Sequence, residues 1–271
     1  MYKKYYDAGR SRKLGGHLGG FFELIIEMIY SKILREGDFS IDCGVNYGEH
    51  TFPMHNVVGS TGIVLGFEAL TNLTDLINSK ILSKNIDNIK IVNKAIGSSI
   101  GVTDFTYVPD ANGYSGIKQN IDIPEHISKN IVNLLVPLTT IDHEVSLLNT
   151  SKTIRFIKLD LEGGEYDALI GASIMMRDHS PLIVFENSRN SSLMLYGYTI
   201  ESWFTLFENY GYKLYDLFGR DFSRDNWDQD DIPWYFIAAK RDIDILFVKN
   251  NLIDCIEEIY KKHFERRWKD R

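Results

Sequence analysis

The sequence contains few cysteines, few prolines and no excess of basic residues, and each shortage excludes a class of protein. Its two cysteines, Cys43 and Cys255, are far apart, which fits neither a disulfide framework nor a set of metal ligands and is typical of a reducing compartment. Six prolines and 21 glycines in 271 residues exclude collagen-like and low-complexity chains. Acidic residues outnumber lysine and arginine by 37 to 30, and this net charge of −7 disfavours nucleic acid as the main partner.

Long apolar runs are also missing. No stretch approaches the roughly 20 apolar residues that a membrane-spanning helix needs. The run over residues 21–34 is interrupted by Glu23, Glu27 and Lys32, which is not the pattern of a secretory signal. We therefore expect a cytoplasmic protein without a membrane span. Apolar residues still make up 44% of the chain, which is enough for a sizeable core and excludes global disorder.

Short apolar segments alternate with helical patterns along most of the chain. This alternation predicts an α/β fold with a doubly wound, mostly parallel sheet. The last two strands have no helix between them, which predicts an antiparallel pair at one edge of the sheet. Strands are predicted over residues 41–43, 63–67, 89–92, 154–159, 182–185, 212–218 and 234–239. Helices are predicted over residues 21–35, 49–58, 71–84 (capped by Thr71), 165–176 and 200–210.

Three parts of the chain are expected. Residues 1–37 comprise a basic, glycine-rich arm, either flexible or capping, and a first helix. Residues 38–240 form the main domain, with an insertion at about 100–150 in which only a short strand near 102–108 is expected. Residues 241–271 form a helical extension with an amphipathic helix at 249–268. The two ends either mediate homo-oligomerisation or cover the sheet, and the sequence favours neither.

The segment IDCGVNYGEHT, residues 41–51, is the first candidate binding loop. Asp42 ends a strand, and Gly44 and Gly48 let backbone N–H groups approach a ligand near the N-terminus of a helix. The spacing is neither the dinucleotide fingerprint G-x-G-x-x-G nor a P-loop. A tight turn with a capping residue is the structural alternative. Glu68, at the end of the next strand, is placed to accept the hydroxyls of a ribose, unless it only caps the following helix.

Acidic residues also follow two later strands. In IKLDLEGGEYDALIGA, residues 157–172, Asp160 and Glu162 come directly after a buried strand, and Glu186 ends the next one. The carboxyl ends of parallel strands face the ligand crevice, so these side chains are candidates for chemistry. A plain strand exit is the alternative for Glu186. No group of His, Cys and Asp has the spacing of a metal site, and no metal is expected; Mg²⁺ held by Asp160, Glu162 and Glu186 is the alternative.

Four further segments occur with these two across residues 38–187: GFEAL (66–70), NKAIGSS (93–99), VPLTTID (136–142) and IVFEN (183–187). The combination resembles the FkbM family of S-adenosylmethionine-dependent methyltransferases. The resemblance implies a Rossmann-like class I methyltransferase fold with seven strands. It also implies S-adenosyl-L-methionine as the cofactor and a small-molecule or glycan acceptor.

The resemblance further implies roles for individual residues. The methionine end of the cofactor would lie on the loop that follows Asp42, its ribose at Glu68 and its adenine near Ser98. Asp160, Glu162 and Glu186 would form the catalytic group. The implied cofactor-binding residues are Asp42, Gly44, Asn46, Gly48, Thr51, Glu68, Ala95, Ile96, Ser98 and Asp160.

The implied reaction is O-methylation of a hydroxyl on a sugar, glycan or natural-product acceptor. Such a transfer needs in-line alignment and removal of the hydroxyl proton. Asp160 is the first candidate base by position, and Glu186, His55 and His143 are the others. Two further classes stay open, an oxidoreductase on a similar sheet and a non-catalytic protein that keeps the fold. The missing dinucleotide fingerprint weighs against the first, and the retained acidic residues weigh against the second.

Overall fold

The structure is a computed structural model that describes residues 2–11, 20–119, 123 and 130–265. Its strands are β1 (Phe39–Cys43), β2 (Ile63–Phe67), β3 (Ile89–Val92), β4 (Ala95–Ile96), β5 (Gly101–Tyr107), β6 (Val132–Thr139), β7 (Ile154–Leu159), β8 (Leu182–Glu186), β9 (Lys213–Asp216) and β10 (Tyr235–Ala239). Its helices are α1 (Tyr2–Arg10), α2 (Phe21–Ile33), α3 (Thr51–Val58), α4 (Thr71–Ser83), α5 (Ile141–Ser146), α6 (Glu165–Ile170), α7 (Ser173–Asp178), α8 (Asn190–Tyr196), α9 (Ile200–Asn209), α10 (Asp242–Asn250) and α11 (Leu252–Tyr260).

The main sheet of the described chain has seven strands in the order β3-β2-β1-β7-β8-β10-β9. All neighbouring strands are parallel except that β10 runs antiparallel to both β8 and β9. The order of the strands reverses between β1 and β7, so a crevice opens at the carboxyl ends of these two central strands. The predicted doubly wound sheet with an antiparallel pair at one edge is therefore confirmed.

Helices pack on both faces because the central strands bury side chains on both sides. Helices α6, α7 and α9 share a core with one face of the sheet. Helices α2, α3 and α11 share a second core with the other face, so both ends of the chain cover the sheet. Helix α2, which was predicted, contributes one continuous buried stripe at helical spacing: Phe21, Phe22, Ile25, Ile26, Ile29, Tyr30 and Ile33.

The insertion at about 100–150 contains more structure than its sequence predicts. The expected strand is present as β5, but β6 and α5 were not expected. Strand β6 was missed because it contains Pro137 and exposes half of its side chains, which hides the strand pattern. It pairs with β4 and with β5 to form a small three-stranded sheet. Phe105 and Val136 of this sheet pack against Leu70 and Leu73 at the start of α4.

The described parts of both chain ends contain more helix than was expected. Residues 2–10 form helix α1 with Tyr5 completely buried, which agrees with a capping arm and not with a flexible one. Residues 12–19 of the expected arm lie outside the described residues. The helix expected at 249–268 corresponds to α11, which continues as a π-helix over Lys261–Glu265. Helix α10 precedes it and was not expected as a separate helix. Residues 266–268 lie outside the described residues.

Smaller differences concern helix boundaries. The helix expected at 165–176 is divided into α6 and α7 at Gly171, where a β-carbon would lie only 2.2 Å from the Gly97 carbonyl oxygen. Helix α4 begins at Thr71, with Leu70 in the cap position, and the Thr71 hydroxyl donates instead to Asn93 Oδ1 at 2.9 Å. Within the described residues, no helix is both long and apolar enough to cross a membrane.

Candidate active site

A cavity of about 370 Å³ opens at the carboxyl ends of β1, β2 and β7, within the size range of ligand pockets. Its two ends differ in chemistry. One end is mostly apolar and is closed by β4, β5 and the start of α4. The other end carries charged side chains from the loop after β7 and from α2. The predicted residues that line the cavity are Gly44, Asn46, Glu68, Ala95, Ile96, Asp160 and Glu162.

The loop after β1 is held in a fixed shape against the end of β7. The buried Asp42 accepts a hydrogen bond at 2.6 Å from the hydroxyl of Thr51, the first residue of α3. Gly44 has φ +85°, and a β-carbon there would lie 2.0 Å from the Asp160 carbonyl oxygen. Only glycine permits this approach, so the predicted binding loop touches the predicted catalytic segment directly.

Glu68 connects this loop to the end of β2. Its two carboxylate oxygens accept hydrogen bonds from the backbone N–H groups of Asn46 at 2.8 Å and Leu70 at 2.9 Å. Burial raises the pKa of Glu68, and these two N–H groups oppose the shift. Asn46 itself has φ +49°, a left-handed conformation that is uncommon outside glycine. The carboxylate is thus fixed at the cavity wall, where a ribose would meet it.

Two buried oxygen atoms fit an additional ligand. Asp42 Oδ1 and Asn46 Oδ1 have no hydrogen-bond partner among the described residues. Buried polar atoms are nearly always paired, and Asn46 lines the cavity, so its unpartnered oxygen favours a ligand that brings N–H or O–H donors. The ammonium group of S-adenosylmethionine is such a donor. The residues present therefore fit that cofactor.

Four other predicted cofactor residues differ in their surroundings. Ala95 and Ile96 are buried in β4 and line the apolar end of the cavity. Ser98 is exposed and does not belong to the cavity lining. Gly48, with φ +82°, packs against Phe52, where a β-carbon would approach to 2.8 Å. The Gly48 position therefore shapes the turn before α3.

Asp160 lies at the charged end of the cavity and is paired with a buried lysine. Lys158 Nζ lies 2.9 Å from Asp160 Oδ2, and only 3% of the lysine side chain is exposed. The two residues are two positions apart, so they face the same side of the sheet. Burial alone would raise the pKa of Asp160, but the charge of Lys158 and its hydrogen bond lower it. Asp160 is therefore an ionised carboxylate.

Glu162 and Glu186 lie beside Asp160, and the three residues each offer an oxygen atom within 4.8 Å of the other two. Burial, followed by repulsion from Glu162 and Asp160, raises the pKa of Glu186 well above its usual range. Burial and the two neighbouring carboxylates thus favour the protonated form of Glu186. Because Lys158 already neutralises Asp160, we assign no metal ion to this group.

A chain of polar contacts leads from Asp160 to helix α2. The Tyr235 hydroxyl oxygen lies 2.9 Å from Asp160 Oδ2 and 2.9 Å from Glu23 Oε1. The other oxygen of Glu23 lies 2.8 Å from His50 Nε2. His50 Nδ1 is 3.4 Å from the Tyr30 hydroxyl. We call this set of contacts the α2 proton chain.

Most members of the α2 proton chain were not predicted as site residues. Lys158, which is outside this chain but pairs with Asp160, had a usable signal, because a lysine in an apolar strand two residues before a candidate acid faces the same side as that acid. His50 lay within the predicted binding loop but was not selected. Glu23 and Tyr235 had no signal, since their contact joins residues that are 212 positions apart. The candidate bases His55 and His143 do not line the cavity.

The sheet order, the acid at the end of β2 and the acidic cavity define a Rossmann-like methyltransferase of the S-adenosylmethionine-dependent class. Residues 42–214 match the family described as Methyltransferase FkbM domain. The chain therefore belongs to the FkbM methyltransferase family, and S-adenosylmethionine is its methyl donor. A search of curated proteins finds no match.

Several solved structures resemble this one. The methyltransferase FkbM from Methylobacillus flagellatus is 14% identical over 87% of this chain, with a TM-score of 0.46, and this chain covers 58% of that chain. An rRNA methylase from Streptococcus thermophilus is 10% identical over 80% of this chain and 94% of its own, with a TM-score of 0.41. SMU.1697c from Streptococcus mutans, solved with SAH, is 10% identical over 80% of this chain and 97% of its own, with a TM-score of 0.42.

Proposed function

We propose that the protein is an O-methyltransferase that acts on a hydroxyl of a sugar, glycan or natural-product acceptor. The observation that carries the proposal is the Asp160–Lys158 pair at the charged end of the cavity. An ionised carboxylate that faces the cavity can accept a hydrogen bond from an acceptor hydroxyl and hold its oxygen in line for attack. The resemblance to FkbM enzymes, which act mostly on oxygen, supports the same assignment.

The cofactor contacts are proposed from the described geometry. The loop from Asp42 to Asn46 would hold the methionine end, and Glu68 would accept the ribose hydroxyls. Ala95 and Ile96 would border the adenine. S-Adenosylmethionine supplies an electrophilic methyl group on a positively charged sulfur. Carboxylates at the charged end of the cavity favour that charge, whereas a basic phosphate cradle would repel it.

The proposed step is a single displacement. A lone pair of the acceptor oxygen forms the new bond to the methyl carbon, and the pair of the broken carbon–sulfur bond remains on sulfur. The hydroxyl proton passes to a carboxylate of the protein. Asp160 orients the hydroxyl, and Glu162, at φ +53°, is held in a strained conformation beside it. The protonated Glu186 donates a hydrogen bond within the same group.

The acceptor would enter beside helices α1 and α2. Arg10 and Phe22 line this part of the cavity together with Trp234, whose ring lies 4.7 Å from that of Phe22. Aromatic edges and faces of this kind suit the apolar faces of a sugar ring. We propose a small-molecule or glycan acceptor rather than a nucleic acid, because the net charge is −7 and carboxylates crowd the charged end. The free cysteines fit a cytoplasmic location.

We propose that each of the three parts of the chain has its own role at or around the site. Residues 1–37 would supply the acceptor wall, residues 38–240 the methyltransferase domain and residues 241–271 the helices that cover the sheet. Described residues of both end segments share a core with that sheet, which supports a single folding unit.

Calorimetric titration with S-adenosylhomocysteine tests the cofactor site. We expect Glu68→Ala to weaken binding by tenfold or more, because it removes the carboxylate fixed by Asn46 and Leu70. Glu36→Ala, at an exposed glutamate outside the cavity, is the matched control and should bind like the wild type. A methylation screen of sugars and natural products with labelled methyl donor then tests the acceptor class. Failure of folded protein to bind S-adenosylhomocysteine, or binding of a nicotinamide cofactor instead, would contradict the proposal.

A further inference from the structure

We propose that Lys158 determines how strongly the site prefers the methyl donor over its demethylated product. The side chain of Lys158 is a buried positive charge that lines the cofactor cavity. S-Adenosylmethionine brings a second positive charge on its sulfur, whereas the sulfur of S-adenosylhomocysteine is neutral. Lys158 therefore weakens binding of the donor through a repulsion that the product does not experience. The inference needs only the cofactor and not the identity of the acceptor.

The position of Lys158 in the sheet is the first argument. Lys158 lies near the carboxyl end of β7, opposite Asp42 of β1 in the parallel register. Paired residues of neighbouring strands point to the same face of a sheet, and so do residues two positions apart, such as Lys158 and Asp160. The lysine thus lies between the strand that leads into the cofactor loop and the acid at the charged end of the cavity.

Burial is the second argument, because it leaves the charge poorly screened. Only 3% of the Lys158 side chain is exposed, and its Nζ lies 2.9 Å from Asp160 Oδ2. Burial alone would lower the pKa of Lys158, but the neighbouring Asp160, Asp42 and Glu23 raise it above its usual value. Lys158 therefore keeps its proton, and little water surrounds it to weaken its field.

The other lysine and arginine side chains that line the described cavity are better solvated. They are Lys94 and Arg10. Lys94 pairs with Glu144 at 2.7 Å, but 36% of its side chain is exposed, and Arg10 is exposed as well. Water and salt screen charges in such positions. A ligand in the cavity therefore meets the field of Lys158 with the least screening.

Two like charges within one protein site repel each other. At an effective dielectric constant of about 20, unit charges about 8 Å apart change a dissociation constant by more than tenfold. The carboxylates at the charged end attract the positive sulfur of the donor, and Lys158 offsets part of that attraction. In the proposed displacement, the electron pair of the broken carbon–sulfur bond stays on sulfur. The sulfur is then neutral, so the repulsion from Lys158 disappears as the methyl group leaves.

Titration calorimetry with the two ligands tests the inference. S-Adenosylmethionine and S-adenosylhomocysteine are titrated separately into the full chain at neutral pH, and the ratio of their dissociation constants is compared between proteins. In Lys158→Met, which has an uncharged side chain of similar length, we expect the ratio to shift towards S-adenosylmethionine by about tenfold. The ratio is the quantity to compare, because a general structural defect would weaken both ligands alike.

A second pair of variants covers the case that Lys158→Met does not fold. Removing one partner of a buried ion pair is strongly destabilising, whereas replacing both partners by neutral groups is often tolerated. The double variant Lys158→Met with Asp160→Asn is therefore compared with Asp160→Asn alone. The amide cannot take up a proton in place of the lost lysine charge. We expect the same shift of about tenfold towards S-adenosylmethionine.

Lys94→Met is the matched control, because it removes a lysine that lines the same cavity next to β4. Its ratio should stay within about twofold of the wild type, since water screens this position. A ratio that does not move towards S-adenosylmethionine when Lys158 is replaced, or an equal shift in Lys94→Met, would overturn this inference alone. Folded protein that binds neither ligand would overturn the proposed function and this inference with it.

Discussion

Glu165, the first residue of α6, is completely buried within the motif that follows β7. One oxygen accepts the Leu161 backbone N–H at 2.7 Å, and the other has no partner among the described residues. Burial raises the pKa of Glu165 to about 8. A raised pKa means that the folded state holds this proton more tightly than the unfolded chain does. The contribution of Glu165 to stability is therefore complete below the unfolded pKa of 4.5 and is lost as the pH rises towards about 8.

Replacement of Glu165 by Gln should remove this loss. The amide oxygen can still accept the Leu161 N–H, and the side chain no longer ionises. We expect the two proteins to be similarly stable at pH 5, with the variant gaining up to about 1.4 kcal/mol per pH unit between pH 5 and 8. Urea unfolding across this range is the measurement. Glu258→Gln, on the exposed side of α11, should follow the wild type. If the free energy of unfolding changes equally with pH in the wild type and in Glu165→Gln, ionisation of Glu165 does not destabilise the fold, and the prediction is wrong.

The position of some residues at the cavity could be predicted from the neighbouring sequence, and that of others could not. Glu68 could be predicted as a site residue because it ends an apolar strand, and every parallel strand end faces the same edge. Ser98 follows a strand of only two residues, and the turn after it leads the chain to the surface. Glu23 occupies a polar position on an amphipathic helix, where a solvent-exposed glutamate is the ordinary expectation. Its contact with Tyr235 depends on how α2 crosses the strand ends, which no local pattern specifies.

Helix α10 is attached to the sheet by one ion pair. Asp244, fully buried, accepts two hydrogen bonds from the Arg155 guanidinium of β7, one of them at 2.8 Å from Nη1. Only 13% of the arginine side chain is exposed. A two-pronged pair of this kind fixes the angle between helix and strand. Removing one partner leaves the other charge poorly solvated.

We expect Asp244→Asn to lower the free energy of unfolding by about 3 kcal/mol. The neutral amide has the same shape but cannot balance the charge of Arg155. Denaturant unfolding gives the value directly. Asp242→Asn, at an exposed position in the same first turn of α10, is the control and should change stability little. Equal stabilities of the two variants would show that Arg155 finds another partner.

Elements with a buried periodic face were predictable, and those held by distant partners were not. Strands β2 and β7 were predicted with their observed ends, because β2 contains no charged residue and most residues of β7 are apolar. Helix α1 was missed because its sequence is polar and glycine precedes its last residue. It is stabilised mainly by Tyr5, whose partners come from the far end of the chain. Strand β6 was missed for a similar reason, since it is stabilised by backbone pairing with β5 and not by a buried face of its own.

The two ends of the chain meet on one face of the molecule. Tyr5 donates a hydrogen bond to Glu257 of α11, and its ring packs against those of Phe21, Phe218 and Tyr260. Residues from α1, α2, the sheet and α11 belong to the same core. The protein should therefore unfold as one unit, although its family match ends at residue 214.

The substitution Tyr5→Ala tests whether the protein unfolds as one unit. Loss of the ring leaves a cavity between both ends of the chain, and we expect a destabilisation of about 3 kcal/mol. Tryptophan fluorescence and far-ultraviolet circular dichroism should report the same midpoint in wild type and variant. Tyr6→Ala, at the partly exposed neighbour, should cost less. Separate midpoints for the two signals would mean that the ends unfold before the sheet.

The antiparallel strand has a consequence for how the enzyme is made. Within the described part of the sheet, β9 has β10 as its partner, yet the ribosome delivers β9 first. Strand β10 must slide in between two strands already synthesised, and it brings Tyr235 with it. The nascent chain therefore acquires its sheet and the last member of its proton chain in the same late event. A chain that ends before β10 would therefore lack both the strand that joins β8 to β9 and Tyr235.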